Sequence, residues 1–171
     1  FETLAFKLCS LRELNARRTS NFALDLLEFA DSVASVPAVD PAEVQARLRR
    51  LSPASIAQIA NPLIKAFACP VDEVPNRAHI AVALDRLASF DLVGTHSDHG
   101  AFLRHLTERA EVSLDGALDL GLSATTSNVA SAIARIESVR KLLALDLSLY
   151  AYVEDALSLA KRSQTGPTIG A

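Results

Sequence analysis

The sequence predicts a mostly α-helical chain with one or two short strands. Two compositional observations and one of spacing lead there. Alanine and leucine supply 55 of the 171 residues, against 19 valines and isoleucines and 9 aromatics. Alanine and leucine lose little freedom in a helix, whereas β-branched and aromatic residues suit strands. Apolar residues then recur at three- and four-residue intervals along most of the chain.

The first such segment is 2–14, with Leu4, Leu8, Leu11 and Leu14 on one face and Lys7, Arg12 and Glu13 away from it. A polar turn follows, Asn15 to Ser20, and Ser20 or Asn21 caps a second helix carrying Phe22, Leu26, Phe29 and Val33. Pro37 closes that unit. Asp40-Pro41-Ala42-Glu43 joins an N-cap oxygen, proline at the first helical position and a carboxylate at the third. That helix runs to about Leu51, with Val44, Leu48 and Leu51 inward. Ser52-Pro53 repeats the device for a helix containing Ile56 and Ile59, which Asn61-Pro62 interrupts because proline lacks the N–H and crowds the preceding turn. Leu63, Ile64 and Phe67 form a short apolar turn before Cys69-Pro70.

Residues 71–75 read as a loop, and Asn76 as the cap of a helix carrying Ile80, Leu84 and Leu87. Phe90 to Gly94 is the expected strand. Ser97 or Asp98 opens a helix with Phe102, Leu103, Leu106 and Ala110 inward. Residues 111–126 read as a long loop, and Ser127-Asn128 opens a helix carrying Val129, Ile133, Ile136 and Leu143. Asp146 caps the last helix, with Leu149, Val153, Leu157 and Ala160 on its inner face. The chain is expected to form one helical domain over 1–162, followed by a flexible tail over 163–171.

Several function classes are excluded or disfavoured. The six glycines all lie at or beyond Gly94, so residues 1–93 hold no glycine-rich phosphate cradle, and the G-A-L-D-L-G run at 116–121 lacks the following Lys-Ser/Thr. The net charge of −3 is spread along the chain, which argues against nucleic-acid binding by bulk electrostatics. Two cysteines without C-x-x-C spacing spell no disulfide framework. With no membrane-length apolar run and no signal-peptide pattern, a cytoplasmic location is expected. The absence of methionine, even at position 1, suggests a processed product or an excised segment.

The densest polar group is Thr95-His96-Ser97-Asp98-His99. His96 and His99, with Asp98 and His105, offer ligands or a general base, and the same residues also serve as a surface loop and cap. No H-E-x-x-H or third ligand at a standard spacing accompanies them, so no metal is expected. Arg17, Arg18, Arg47, Arg49 and Arg50 read as solvated, with Asp40, Glu43 and Glu13 near them. Cys9, Cys69 and His79 read as structural.

The order of segments adds a resemblance. N-P-L-I-K-A-F-A at 61–68 precedes A-H-I-A-V-A-L-D-R-L, F-D-L-V-G-T, S-N-V-A at 127–130 and L-L-A-L-D-L-S-L-Y at 142–150. This succession resembles the C-terminal half of the carbohydrate-type sulfotransferases, which have a P-loop-like α/β fold and use 3'-phosphoadenosine 5'-phosphosulfate (PAPS). In that family an N-x-x-T-R element, an fd-x-V-G strand leading to a t-E helix, an N-v-s turn and a D-x-x-L-Y helix occur in this order. F-E-T-L-A-F-K-L-C-S-L-R-E looks like the helix after the family's R-D-P element. The resemblance spans most of 1–155 and implies sulfuryl transfer from PAPS, as co-substrate, to an acceptor hydroxyl. It also implies that a missing N-terminal half or partner chain holds the donor loop. Asn61 and Lys65 would line the donor or acceptor side, and His96 or His99 would stand at the strand end, where α/β folds gather ligands. Lys65 replaces the family's arginine, Ser97 its glutamate, and Phe6 falls near an expected 3'-phosphate serine. The alternative is a self-contained helical interaction domain without catalysis.

Overall fold

The computed structural model describes residues 1–17, 22–34, 40–70, 73–95, 98–110 and 123–164. Among them the chain forms ten helices: α1 Glu2–Ala16, α2 Leu24–Ala34, α3 Pro41–Leu48, α4 Pro53–Ile59, α5 Pro62–Ala68, α6 Ala78–Ala88, α7 His99–Ala110, α8 Ala124–Ile133, α9 Glu137–Leu142 and α10 Ala144–Gln164. The expected mostly helical character holds, and no strand occurs among the described residues. Residues 92–95 run without a partner strand, and Phe90 turns outward onto the edge of Phe67, ring centroids 6.4 Å apart at 83°. A strand is stabilised by pairing, and this segment finds helices beside it instead.

Helices α1, α2, α3, α8 and α9 enclose the larger core. Leu4, Leu8 and Leu11 from α1 meet Leu26, Phe29 and Val33 from α2, with Val44, Leu48, Ile59, Val129, Ile133, Ile136, Val139 and Leu143 completing it. Leu14 and Phe22 lie at its margin, each more than a third exposed. Lys7, expected on the outer face, is half-buried at the edge of the leucine stripe. A smaller core joins α5, α6 and α10 through Ile64, Cys69, Ala83 and Leu149, with Leu63, Phe67, Ile80, Leu84, Leu87 and Val153 packed around them.

The local caps stand where the sequence places them. Asp40 Oδ1 accepts from the Ala42 N–H (2.9 Å), Ser52 Oγ from the Ser55 N–H (3.2 Å), and Asn76 Oδ1 from the Ala78 N–H (2.8 Å). Three boundaries differ. Helix α8 begins after Ser123, whose Oγ accepts from the Thr126 N–H (3.1 Å), so helix occupies part of the expected loop and Ser127 is interior. The segment expected as one helix through Leu143 breaks at 134–136 into α8 and α9, although its apolar spacing continues across the break. The last helix reaches Gln164. Ser20, Asn21, Pro37, His96 and Ser97, the 111–122 part of the expected loop and the tail from 165 lie outside the described residues. No helix among the described residues is long and apolar enough to cross a membrane.

Candidate functional site

Two helix starts face each other at the junction of the two cores. Asn61, just before α5, adopts a left-handed conformation (φ 45°, ψ 58°), which asparagine tolerates better than most non-glycine residues. Its Oδ1 accepts from the backbone N–H groups of Leu145 and Asp146, at 3.0 and 3.2 Å, and so caps α10. Asp146 returns the contact: Oδ2 accepts from the Leu63 N–H and Oδ1 from the Ile64 N–H, each at 2.9 Å, capping α5. The expectation that Asp146 caps its own helix is thereby corrected, because the carboxylate lies in the first turn of α10 and reaches across to α5. Burial lifts the Asp146 carboxyl above the ordinary carboxylate range, opposed by the two N–H bonds.

A second carboxylate is used in the same way. Asp25, in the first turn of α2, accepts from the Ser52 N–H (2.7 Å) and from the hydroxyl of fully buried Ser55 (2.7 Å), fastening α2 to the start of α4. These bonds to the ionised form hold its carboxyl below the ordinary range.

Above the Asn61–Asp146 crossing lies a groove of about 510 Å³. Its walls come from Phe1 to Leu4, from Pro62, Leu63 and Phe67 of α5, from Leu87, from Val93 to Thr95, and from the face of α10 that carries Leu147, Tyr150 and Val153. The lining is largely apolar, with Glu2, Thr3, Thr95, Asp146 and Tyr150 supplying polar groups. Of these, the sequence analysis singled out Thr95 within the His96–His99 cluster and Asp146 as a cap. The spacing of Asp146, Leu147, Tyr150 and Val153 is the signal for this face of α10, since residues three and four apart stand on one side of a helix.

The expected site residues separate. Asn61 is buried with its amide oxygen committed to α10. Lys65, part-exposed on α5, stands close enough to Lys7 to help lower the pKa of that ammonium group, burial being the larger cause. Lys7 Nζ donates to the Gln58 carbonyl oxygen near the end of α4 (2.5 Å). His99 opens α7, while His96 lies outside the described residues. His105 is exposed and faces Glu108 at 3.4 Å, so it joins no ligand set with His99. Arg47 pairs with Glu43 on the outer face of α3, as a solvated basic face would.

One cluster of metal-ligand type occurs among the described residues. Cys69, Glu73 and His79 bring Sγ, a carboxylate oxygen and a ring nitrogen within 4.8 Å of one another. The hydrogen bonds suit neither a metal nor a nucleophile. His79 Nδ1 accepts from the Asn76 N–H (3.0 Å), which leaves the proton of the neutral ring on Nε2, facing Glu73 Oε1 at 3.2 Å. A metal on Nε2 would require a proton on Nδ1, pointing at the Asn76 donor. The Cys69 thiol donates to the carbonyls of Pro70 and Glu73, at 3.4 and 3.6 Å, and those dipoles disfavour a thiolate. The arrangement ties Cys69 and Glu73 to the start of α6.

No family model, no curated protein and no solved structure matches this chain.

Proposed function

We propose that the chain supplies the C-terminal portion of a PAPS-dependent sulfotransferase, acting in sulfuryl transfer to an acceptor hydroxyl. One observation carries the reading. Five of the six segments that bear the sequence resemblance, spread from Phe1 to Tyr150, contribute to one groove, while S-N-V-A at 127–130 packs into the larger core. F-E-T-L contributes one wall, N-P-L-I-K-A-F the next through Pro62, Leu63 and Phe67, and F-D-L-V-G-T a third through Val93, Gly94 and Thr95. The L-D-L-S-L-Y stretch of α10 completes it.

In the reaction, the acceptor oxygen bonds to sulfur as it loses its proton, and the bond from sulfur to the bridging phosphate oxygen breaks to release adenosine 3',5'-bisphosphate. The departing oxygen needs positive charge beside it. Lys65 is the cation the resemblance offers for that need; it stands on α5 between groove residues Leu63 and Phe67 but outside the groove lining. His99 and His96 are the candidates for the base. Lys65 and Asn61 are the candidates on the donor or acceptor side.

Calorimetric binding of adenosine 3',5'-bisphosphate to this chain and to the full product of its gene tests the reading. Binding by the full product, weakened at least tenfold by Lys65→Ala, is expected. Binding by neither overturns it.

The apolar lining of the groove favours a second reading, the self-contained helical interaction domain. Leu4, Leu63, Phe67, Leu87 and Leu147 form the kind of trough that takes the apolar face of an amphipathic helix. A partner helix would slow amide exchange along α5 and α10 with no adenosine 3',5'-bisphosphate bound.

A further inference from the structure

Helix α7 is held differently from the others. Each of the other nine described helices contributes at least one buried side chain, and α7 contributes none. Its expected inner face, Phe102, Leu103 and Leu106, is only part-buried, and Ala110 is exposed. Polar ties join its two ends to the rest of the chain. Asp98, immediately before the helix, pairs with Lys161 near the end of α10. Arg109, in the last turn, donates through Nη1 to the Asp91 carbonyl oxygen at 2.7 Å. Both ties are exposed, and the Asp98–Lys161 charge pair weakens with salt.

Between these ties the Phe102 ring lies directly on Gly94. A Cβ on residue 94 would come within 2.5 Å of Phe102 Cδ2 and 2.9 Å of its Cβ, so only glycine admits this approach. Beside α7 is a second groove, of about 410 Å³, with Leu92, Val93, Phe102 and Leu157 on its apolar part and Asp98, Glu108, Arg109 and Lys161 on its charged part. Val93 and Gly94 belong to this groove and to the larger one above the Asn61–Asp146 crossing. The backbone at Val93 and Gly94 therefore borders both hollows, and α7 forms one wall of the second.

We infer that α7 is a lid, latched by Lys161 on Asp98 and by Arg109 on the Asp91 carbonyl and seated by Phe102 on Gly94. Lifting it would expose part-buried Leu92, Val93 and Leu157 and join the two grooves into one trough along Val93 and Gly94. The helix carries His99, so the same motion moves that imidazole relative to α10. The inference is independent of the sulfuryl-transfer reading: it concerns how α7 is fastened, whatever the trough receives.

Amide hydrogen exchange of the whole chain, resolved by peptide, is the test. Amides of 99–110 are expected to exchange at least tenfold faster than those of α1 and α2, and faster again in 1 M salt. Lys161→Ala and Gly94→Ala should each raise exchange in 99–110 at least threefold while leaving α1 and α2 unchanged. Asp98→Lys, which sets like charges together, should raise exchange in 99–110 further, and Asp98→Lys combined with Lys161→Asp should bring it back toward the parent. Exchange in 99–110 as slow as in α1 overturns the lid. So does a rise in either single variant that is shared by the whole chain, or a charge swap that leaves 99–110 as fast as in Asp98→Lys alone.

Discussion

Asn61 caps the helix that Asp146 belongs to, and Asp146 caps the helix that Asn61 precedes. The four hydrogen bonds, between 2.9 and 3.2 Å, satisfy two N–H groups at the start of α5 and two at the start of α10. Helix starts leave such donors without intrahelical partners, and burying them unpaired is costly. The crossing sits under the groove, so the placement of its α5 and α10 walls depends on these two side chains.

Substitutions at Asn61 separate its two contributions. Asn61→Ala removes the cap and leaves a β-carbon at φ 45°, with an expected loss of about 2–3 kcal/mol. Asn61→Gly removes the cap but relieves the backbone, with an expected loss of about 1 kcal/mol. Urea unfolding of both variants checks the order. Equal losses would mean that the left-handed backbone contributes nothing.

The two capping carboxylates bend the pH profile in opposite directions. Asp146 has a raised native pKa, so the folded state holds that proton more tightly than the unfolded chain. Its contribution is full below the ordinary carboxylate value and declines as pH rises through that value to the native one. Asp25 has a lowered native pKa, so its contribution is full above the ordinary value and is lost as pH falls through the native one. Asp146→Asn should flatten the first trend and Asp25→Asn the second, read from unfolding free energies between about pH 2 and pH 7.

Ser123→Ala should destabilise the chain by about 1 kcal/mol, because it removes the acceptor at the start of α8. Ser127→Ala, at an exposed position inside α8, should stay within about 0.5 kcal/mol of the parent. The reverse ranking in thermal or urea unfolding would return the helix start to Ser127.

Core substitutions should follow burial rather than apolar character. Leu8→Ala, fully buried in the larger core, should cost about 2–5 kcal/mol. Phe90→Ala should cost about 1 kcal/mol, since the ring is more than half exposed and keeps chiefly its edge contact with Phe67. A Phe90 loss as large as the Leu8 loss would restore an interior role for the 90–94 segment.

What the sequence made legible was local. Asp40, Ser52 and Asn76 cap helices within three residues of themselves, and reading along the chain finds them. Asp25 and Asp146 also cap helices, but the donors lie 27 and 82 or 83 residues away, beyond any motif. The apolar stripes of α1 and α2 were legible because one face meets one core. The α8–α9 break was hidden because Val129, Ile133, Ile136, Val139 and Leu143 are all buried on both sides of it. Phe90 to Gly94 carries strand-forming residues, yet strand formation also needs a neighbour to pair with. The groove is the least local feature of all, drawing its walls from both ends of the chain.

The long reach of the Asn61–Asp146 crossing also orders assembly. Its bonds close a stretch of 82 to 85 residues, and the entropy of that closure must be met before α5 gains its cap. Seven-residue α5 is too short to persist by itself. During synthesis, α1 and α2 can join as soon as they emerge, whereas α5 must wait until the ribosome has delivered α10. The smaller core, and the groove above it, therefore form last.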